Sequence, residues 1–395
     1  MSSPVNSQMN AYFPHSGYHW RGQSFAQSFT RSFTRSSGQS ADRFFEGWYF
    51  RLTLPDPGQT FAFMYSIDDP AGGSDYSGGA AQILGPNEAY YCRSFPDAAQ
   101  FWAWPHRLGL GHWRSARASS RSRYLSPERF EREVVEGYQV SDRLHQGKLL
   151  APSGQIKAQW HYTIDPIDRW GGKCDRATAG WLSYLPIFEP GWQVLMAHGL
   201  ATGWIEWYDD GETQKNSTPT RYAFENAPAY AEKNWGGAFP AKWFWIQCNA
   251  FKGEPTLSIT AVAGVREVLM FTENVGLIGI HHQGKFYEFF STKTAFTWRV
   301  DPWGYWQVTA RSFSHRVVLT GQATDAGALV RVPTRQGLQF LCRDTTHGEL
   351  RLQLWAYQRE ASGTQKERLV IDATSQLAGL EVGGGPWNER WTNMS

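Results

Sequence analysis

Residues 44–54 read FFEGWYFRLTL and residues 61–67 read FAFMYSI, with Pro, Asp and Gly between them. Aromatic and β-branched side chains gathered into short runs and stopped by turn formers favour strands, because such side chains pack well on a pleated surface. The same texture continues outward in AAQILG (80–85), IKAQWHYTI (156–164) and WQVLMAHGLATGWIEW (192–207). A polar segment, DDGETQKNSTPT from Asp209 to Thr220, reads as a linker. Beyond it the pattern resumes in KWFWIQCNAF, LSITAVAGV, VGLIGIHHQGKFYEFF, AFTWRVDPWGYWQVTARSF, ELRLQLWAY and ERLVIDATSQLAGLEV. Many short strands with close turns predict an all-β chain of two barrel-like halves. LATGWIEW near the end of one half and LAGLEVGGGPW near the end of the other hint at duplication. The best helical candidate is SPERFEREVVEG, Ser126 to Gly137, with Ser126 as cap and Pro127 opening the first turn.

The chain has 395 residues, enough for two cores. Its 38 Lys and Arg against 36 Asp and Glu leave no basic field, so nucleic acid is not an expected partner. The unusual quantity is the aromatic content, 20 Trp, 17 Tyr and 24 Phe, which suits β cores and cavities for flat or cationic species. Cys92, Cys174, Cys248 and Cys342 form no CxxC pair, which argues against zinc and a disulfide scaffold and fits a reducing compartment. No window approaches the roughly 18 to 20 apolar residues of a membrane span. The first 45 residues are rich in Ser, Phe and Arg and lack a signal peptide's apolar run; they read as mature protein, with a flexible Ser-rich insertion from Arg21 to Asp42.

The motif search removes several chemistries. GIHHQGK, Gly279 to Lys285, matches part of a phosphate loop, but Phe286 stands where a magnesium-holding hydroxyl belongs, and the segment reads as a hairpin turn. His281 and His282 are adjacent and point to opposite faces of a strand. No metal-ligand cluster, nucleophile elbow or dinucleotide fingerprint appears, so no cofactor is expected. Carboxylates set among aromatics are more informative: Glu46, Asp68, Glu189, Glu206, Glu232 and Glu288. A buried carboxylate either meets a cation or stays protonated, and a neutral buried acid can donate a proton. The simpler reading of each is an outward-pointing or Arg-paired side chain. In AYAEKNWGG, Glu232 and Asn234 project to one side of an extended segment with Lys233 opposite, beside Trp235 and the bulge-permitting Gly236 and Gly237. The alternative is a capping or bulge motif at a domain junction.

These residues resemble the tocopherol cyclase family through PHSGYHW (14–20), FFEGWYF (44–50), GAAQILG (79–85) and FEPGWQ (188–193). The match continues in GLATGWIEW, YAEKNWGGAFPAKWFWIQCN, DPWGYW, CRDTTHGEL and GLEVGGGPW and spans nearly the whole chain. The resemblance implies two lipocalin-like β-barrel domains in tandem, here expected at 44–208 and 221–395, after an N-terminal segment 1–43 and joined by the linker 209–220. It implies closure of the chromanol ring of prenylated benzoquinols, such as dimethyl-phytyl-benzoquinol, by a cytoplasmic protein peripherally associated with internal photosynthetic membranes. Glu232 and Asn234 match the acid and amide that related hydratases and pericyclases carry in an NWG motif. The expected roles are Glu232 as acid, Asn234 as its orienting partner, and Glu46, Asp68 or His15 as acceptor of the phenol proton. His15, Trp48, Tyr49, Tyr65 and Trp235 are expected to bind substrate. Two departures stand out: the Ser-rich insertion looks longer than the family pattern, and Asp69 occupies the place of an expected amide.

The implied reaction is redox-neutral: a proton adds to the alkene nearest the ring and a phenol oxygen attacks the tertiary carbon. Holding that pair in near-attack geometry supplies about 7 to 11 kcal/mol, and each desolvated aromatic face about 2 kcal/mol toward the developing cation. Water must be excluded, or a tertiary alcohol forms, the outcome in hydratases. Rival readings are a non-catalytic prenyl-lipid carrier and a carbohydrate-active β protein with stacked Trp and paired acids.

Overall fold

The computed structural model describes residues 14–20, 44–116, 120–184, 190–209, 218–237, 239–268, 271–359 and 365–393. Nearly all of them lie in two 11-stranded antiparallel sheets. The first holds β1 (Phe45–Leu54), β2 (Gln59–Asp68), β3 (Gly78–Leu84), β4 (Tyr90–Phe95), β5 (Phe101–Ala103), β6 (Gly109–Ser115), β7 (Val134–Ser141), β8 (Leu144–Leu150), β9 (Ile156–Asp168), β10 (Gly191–Trp207) and β11 (Thr220–Gly236). The second holds β12 (Lys242–Cys248), β13 (Ser258–Val268), β14 (Phe271–His282), β15 (Lys285–Phe290), β16 (Ala295–Val300), β17 (Tyr305–Arg311), β18 (His315–Gln322), β19 (Ala328–Thr334), β20 (Gly337–Arg359), β21 (Gln365–Gly384) and β22 (Trp391–Asn393).

Each sheet is a curled run of antiparallel strands in which the first strand bridges early and late parts of the chain: β1 pairs with β2 and with β11, and β12 with β13 and with β21, while β4 and β5 form the edges of the first run and β15 and β22 those of the second. Contacts across the interior show the curl. In the first barrel the Tyr65 hydroxyl on β2 meets His145 Nε2 on β8 at 2.6 Å, and Tyr91 on β4 donates to the Leu150 carbonyl at 2.5 Å. In the second, Phe244 on β12 lies against Trp298 on β16, ring centroids 5.8 Å apart. Each interior is filled by its own aromatic and aliphatic cluster, and a third cluster, including Trp170, Trp243, Trp245 and Tyr230, lies between the barrels. The all-β, barrel-like architecture expected from the strand pattern is the one observed, in line with the lipocalin-like fold that the resemblance implies.

The change of sheet falls between Gly236 and Lys242, later than the expected linker at 209–220. That polar segment joins β10 to β11, and its residues 210–217 lie outside the described part of the chain, as do Glu189 and the Ser-rich insertion from Arg21. A polar stretch marks solvent exposure, which a hairpin connection and a domain boundary share, so composition alone places the boundary too early. The expected helix is a short one, α1 (Pro127–Glu133), because Val134 to Gly137 continue into β7 and pair with β6 and β8. GIHHQGK is a two-residue hairpin turn, Gln283 and Gly284 both at positive φ between His282 and Lys285.

Polar bonds fix one barrel on the other. Arg51, buried on β1, donates to Gln247 Oε1 at 2.9 Å and to the carbonyls of Thr346 and Leu377 in the second barrel. Glu88 accepts from the Thr346 backbone N–H and the Thr345 hydroxyl, and lies 3.0 Å from His347 Nδ1.

Candidate active site

Between the barrels lies a cavity of about 230 Å³. Its walls come from β1, β2, β10 and β11 on one side and from β12, β13, β14, β19 and β21 on the other, and are mostly apolar: Trp192, Phe239, Trp243, Trp245, Leu277 and Phe290 among them. Strand alternation decides which side chains reach it. On β11, Tyr230, Glu232 and Asn234 face the second barrel, whereas Ala229, Ala231 and Lys233 face the first barrel's interior.

Glu232 is buried in this wall. The Tyr230 hydroxyl donates to its Oε2 at 2.6 Å and the Trp245 indole to the same oxygen at 3.1 Å. Desolvation outweighs these donors and raises the carboxyl's pKa above the usual carboxylate value. Two donors converging on Oε2 treat it as a carbonyl oxygen, so a neutral carboxyl carries its proton on Oε1. Tyr49, cross-strand from Glu232, packs its ring edge-on to Trp245 at 5.3 Å, and burial raises its phenol well above the ordinary value.

A second acid was missed by the sequence reading. Glu381 on β21 lines the same cavity and accepts a hydrogen bond from the Trp243 indole. Its cross-strand neighbours are Trp245 and the buried Asp344. Burial lifts Glu381 to about 7, and burial with the charge of Glu381 lifts Asp344 well above the carboxylate range. Two adjacent buried carboxyls cannot both ionise cheaply, so Asp344 keeps its proton and Glu381 titrates. The sequence criterion was an acid flanked by aromatics, and Glu381 has Leu380 and Val382 as neighbours. Its indoles arrive from β12 across the sheet, and the run GLEVGGGPW was the only local signal.

Of the other expected residues, Asn234 and Tyr49 join Glu232 in the cavity wall. Trp48 and Tyr65 contribute to the wall, but their rings belong to the first barrel's core, where Tyr65 stacks on Tyr138 at 4.0 Å. Glu46 sits on the opposite face of β1 from Tyr49. Its carboxylate pairs with Lys233 Nζ at 2.6 Å, both side chains fully buried, and accepts from the His19 backbone N–H at 2.8 Å. Lys233 and His19 overcome desolvation and hold Glu46 below the carboxylate range, so it is an anion fixed in an ion pair. Asp68 is buried at the end of β2 outside the cavity wall. His15 and Trp235 belong to a cluster where the segment 14–20 covers the barrel's end: His19 stacks on Trp235 at 3.9 Å, and His15 lies 3.1 Å from the Ser183 hydroxyl, itself in the cavity wall. Burial and the neighbouring His19 lower His15 to about 4, leaving it neutral. Asp69 organises a turn, accepting from the Ser74 N–H and hydroxyl and from the Ser77 hydroxyl at 2.5 Å. Glu206 pairs with Arg221, and Glu288 accepts from the Trp170 indole at 3.0 Å.

The fold and site define a two-barrel, lipocalin-like protein with a largely apolar cavity lined by two carboxyls whose pKa values burial raises. The sequence matches the tocopherol cyclase-like family over residues 42–384, and the chain belongs to that family. It is 39% identical over 405 residues to a probable chloroplastic tocopherol cyclase of Oryza sativa subsp. japonica, covering 96% of this chain and 80% of the relative. It is likewise 39% identical over 416 residues to the chloroplastic tocopherol cyclase of Zea mays, covering 98% and 81%. Among solved structures, CghA with Sch210972 aligns at a TM-score of 0.50 and 11% identity over 87% of this chain and 88% of that one, a likeness of fold.

Proposed function

We propose that this chain is a tocopherol cyclase, closing the chromanol ring of a prenylated benzoquinol without net oxidation or reduction. The observation that carries the mechanism is Glu232, a carboxyl whose pKa burial raises and which lines an apolar cavity between the barrels, so that it can hold a proton to give. Oε1–H is the proton source for the alkene. Tyr230 and Trp245, bonded to Oε2, stabilise the carboxylate left behind at the moment positive charge develops on the tertiary carbon. The rings of Trp192, Trp243, Trp245 and Tyr49 surround that carbon with π faces and keep water from it. Asn234, in the same wall, orients the quinol's oxygen. The phenol oxygen closes on the tertiary carbon as the proton arrives, so no free cation has to survive.

No helix among the described residues is long and apolar enough to cross a membrane. Contact with the membrane that dissolves the substrate is proposed beside Ser183, a wall residue, and is supported by the exposed rings of Trp181 and Tyr184, 72% and 51% exposed. Amphipathic rings of this kind sit well at a lipid–water boundary.

The test is direct. Purified protein incubated with dimethyl-phytyl-benzoquinol under reducing conditions should yield the chromanol, and in D2O the product should carry one deuterium on the methylene formed from the alkene CH. Recovery of unchanged quinol would favour a carrier, and a tertiary alcohol would favour a hydratase.

A further inference from the structure

Ring closure moves two protons, and Glu232 accounts for one. The phenol proton needs an acceptor inside the same cavity. Glu46 is fixed to Lys233 on the far face of β1, and Asp68 and His15 lie outside the wall. Among the described residues, Glu232 and Glu381 are the carboxylates that line the cavity. They stand on corresponding strands: β11 and β21 each pair with the first strand of their sheet, with Gly236 opposite Phe45 and Gly384 opposite Lys242 at the same end. The two sheets therefore present one acid each to a shared space.

We propose that Glu381 is a second catalytic residue, whose carboxylate accepts the phenol proton while Glu232 gives its own proton to the alkene. The assignment rests on the ring closure proposed above. In the step, the Glu232 O–H, the phenol O–H and the alkene π bond break, and a C–H bond, the ring C–O bond and a Glu381 O–H bond form. No electrons are gained or lost overall. The enzyme is left with Glu232 ionised and Glu381 neutral, and the proton returns from Glu381 to Glu232 before the next turnover.

The surroundings suit Glu381 to taking up and releasing a proton. Asp344 and Cys342 face it from β20, and Glu232 from β11 and Tyr49 from β1 interact with it electrostatically; Arg51 acts on Asp344, and Arg331 on β19 lines the same cavity. Asp344, the more strongly desolvated partner, keeps its proton, and the Trp243 indole steadies the Glu381 anion. With its pKa raised to about 7, Glu381 is divided between anion and acid near neutrality, becomes the anion above it and is protonated as the pH falls.

The experiment compares wild type, Glu381→Gln and Glu232→Gln with the quinol in steady state, across pH, in the intact protein. Wild type should lose kcat as pH falls through the Glu381 pKa. E381Q should lose about 10²- to 10⁴-fold in kcat, keep KM little changed, and lose that acidic limb. If E381Q turns over at the wild-type rate with the limb intact while E232Q is inactive, Glu381 is not the acceptor and the ring-closure reading stands. If wild type yields no chromanol, the reading itself fails. Should E381Q not fold, Trp243→Phe provides the second measurement. Loss of the indole donor destabilises the Glu381 anion, so the acidic limb should move to higher pH; a limb that stays in place overturns the proposal.

Discussion

Glu232 and Glu46 lie on neighbouring strands and are both buried, yet their pKa values are shifted in opposite directions. Glu46 has a cation, Lys233, which holds it below its ordinary pKa; Glu232 has only neutral donors, and burial raises its pKa. Glu232→Gln should therefore abolish ring closure while quinol binding, read by tryptophan fluorescence quenching, persists. Near-normal turnover would reject the assignment. Lys233→Met should cost about 3 to 5 kcal/mol at pH 7, because it strands a buried anion. The pH dependence has a definite sign. In wild type the folded Glu46 lies below its ordinary 4.5, so its contribution to stability is complete above that value and is lost as pH falls through the folded pKa. Without Lys233 its folded pKa rises, and the deficit of the variant should shrink on acidification. Denaturant titrations of both proteins at pH 7 and pH 5 measure this.

At the level of elements, the site depends on indoles held in fixed rotamers by glycine. A Cβ at Gly383 would stand 2.0 Å from Cζ2 of Trp243, and one at Gly191 would stand 2.1 Å from Cε2 of Trp235. Both glycines leave room for a ring that lies flat on the neighbouring strand. Gly383→Ala should cost about 1 to 3 kcal/mol through overpacking. It should also reduce kcat more than KM, since Trp243 carries the bond to Glu381. Thermal unfolding alongside steady-state kinetics separates the two effects; a variant with unaltered kcat would show that the Trp243 rotamer is unimportant.

Across the whole molecule, the chemistry sits between two barrels whose interiors are already full. The cavity therefore exists only while the barrels remain docked, and Arg51 is the clearest bond between them. Arg51→Ala removes donors from Gln247 and from the carbonyls of Thr346 and Leu377, and should destabilise the protein by about 3 kcal/mol. If docking also shapes the cavity, quinol affinity should fall with it, measurable by the same quenching titration. Unchanged affinity would mean that the apolar contacts around Trp243 and Trp245 set the cavity alone.

Local texture was enough for the strand runs, the His282–Lys285 hairpin and the shared face of Glu232 and Asn234, because alternation and turn chemistry act over two to four residues. The same reasoning put Trp48 and Tyr65 in the binding site and made Glu46 eligible as a base. A sequence shows that a side chain sits beside aromatics but not which face of its strand meets which sheet. Only the tertiary structure turned Glu46 toward Lys233, brought Trp245 of one barrel onto Glu232 of the other, and carried Glu381 from an aliphatic run into the shared cavity. Burial, partner and protonation state are properties of contacts between residues far apart in the chain, and the docking of two curled sheets is what makes those contacts.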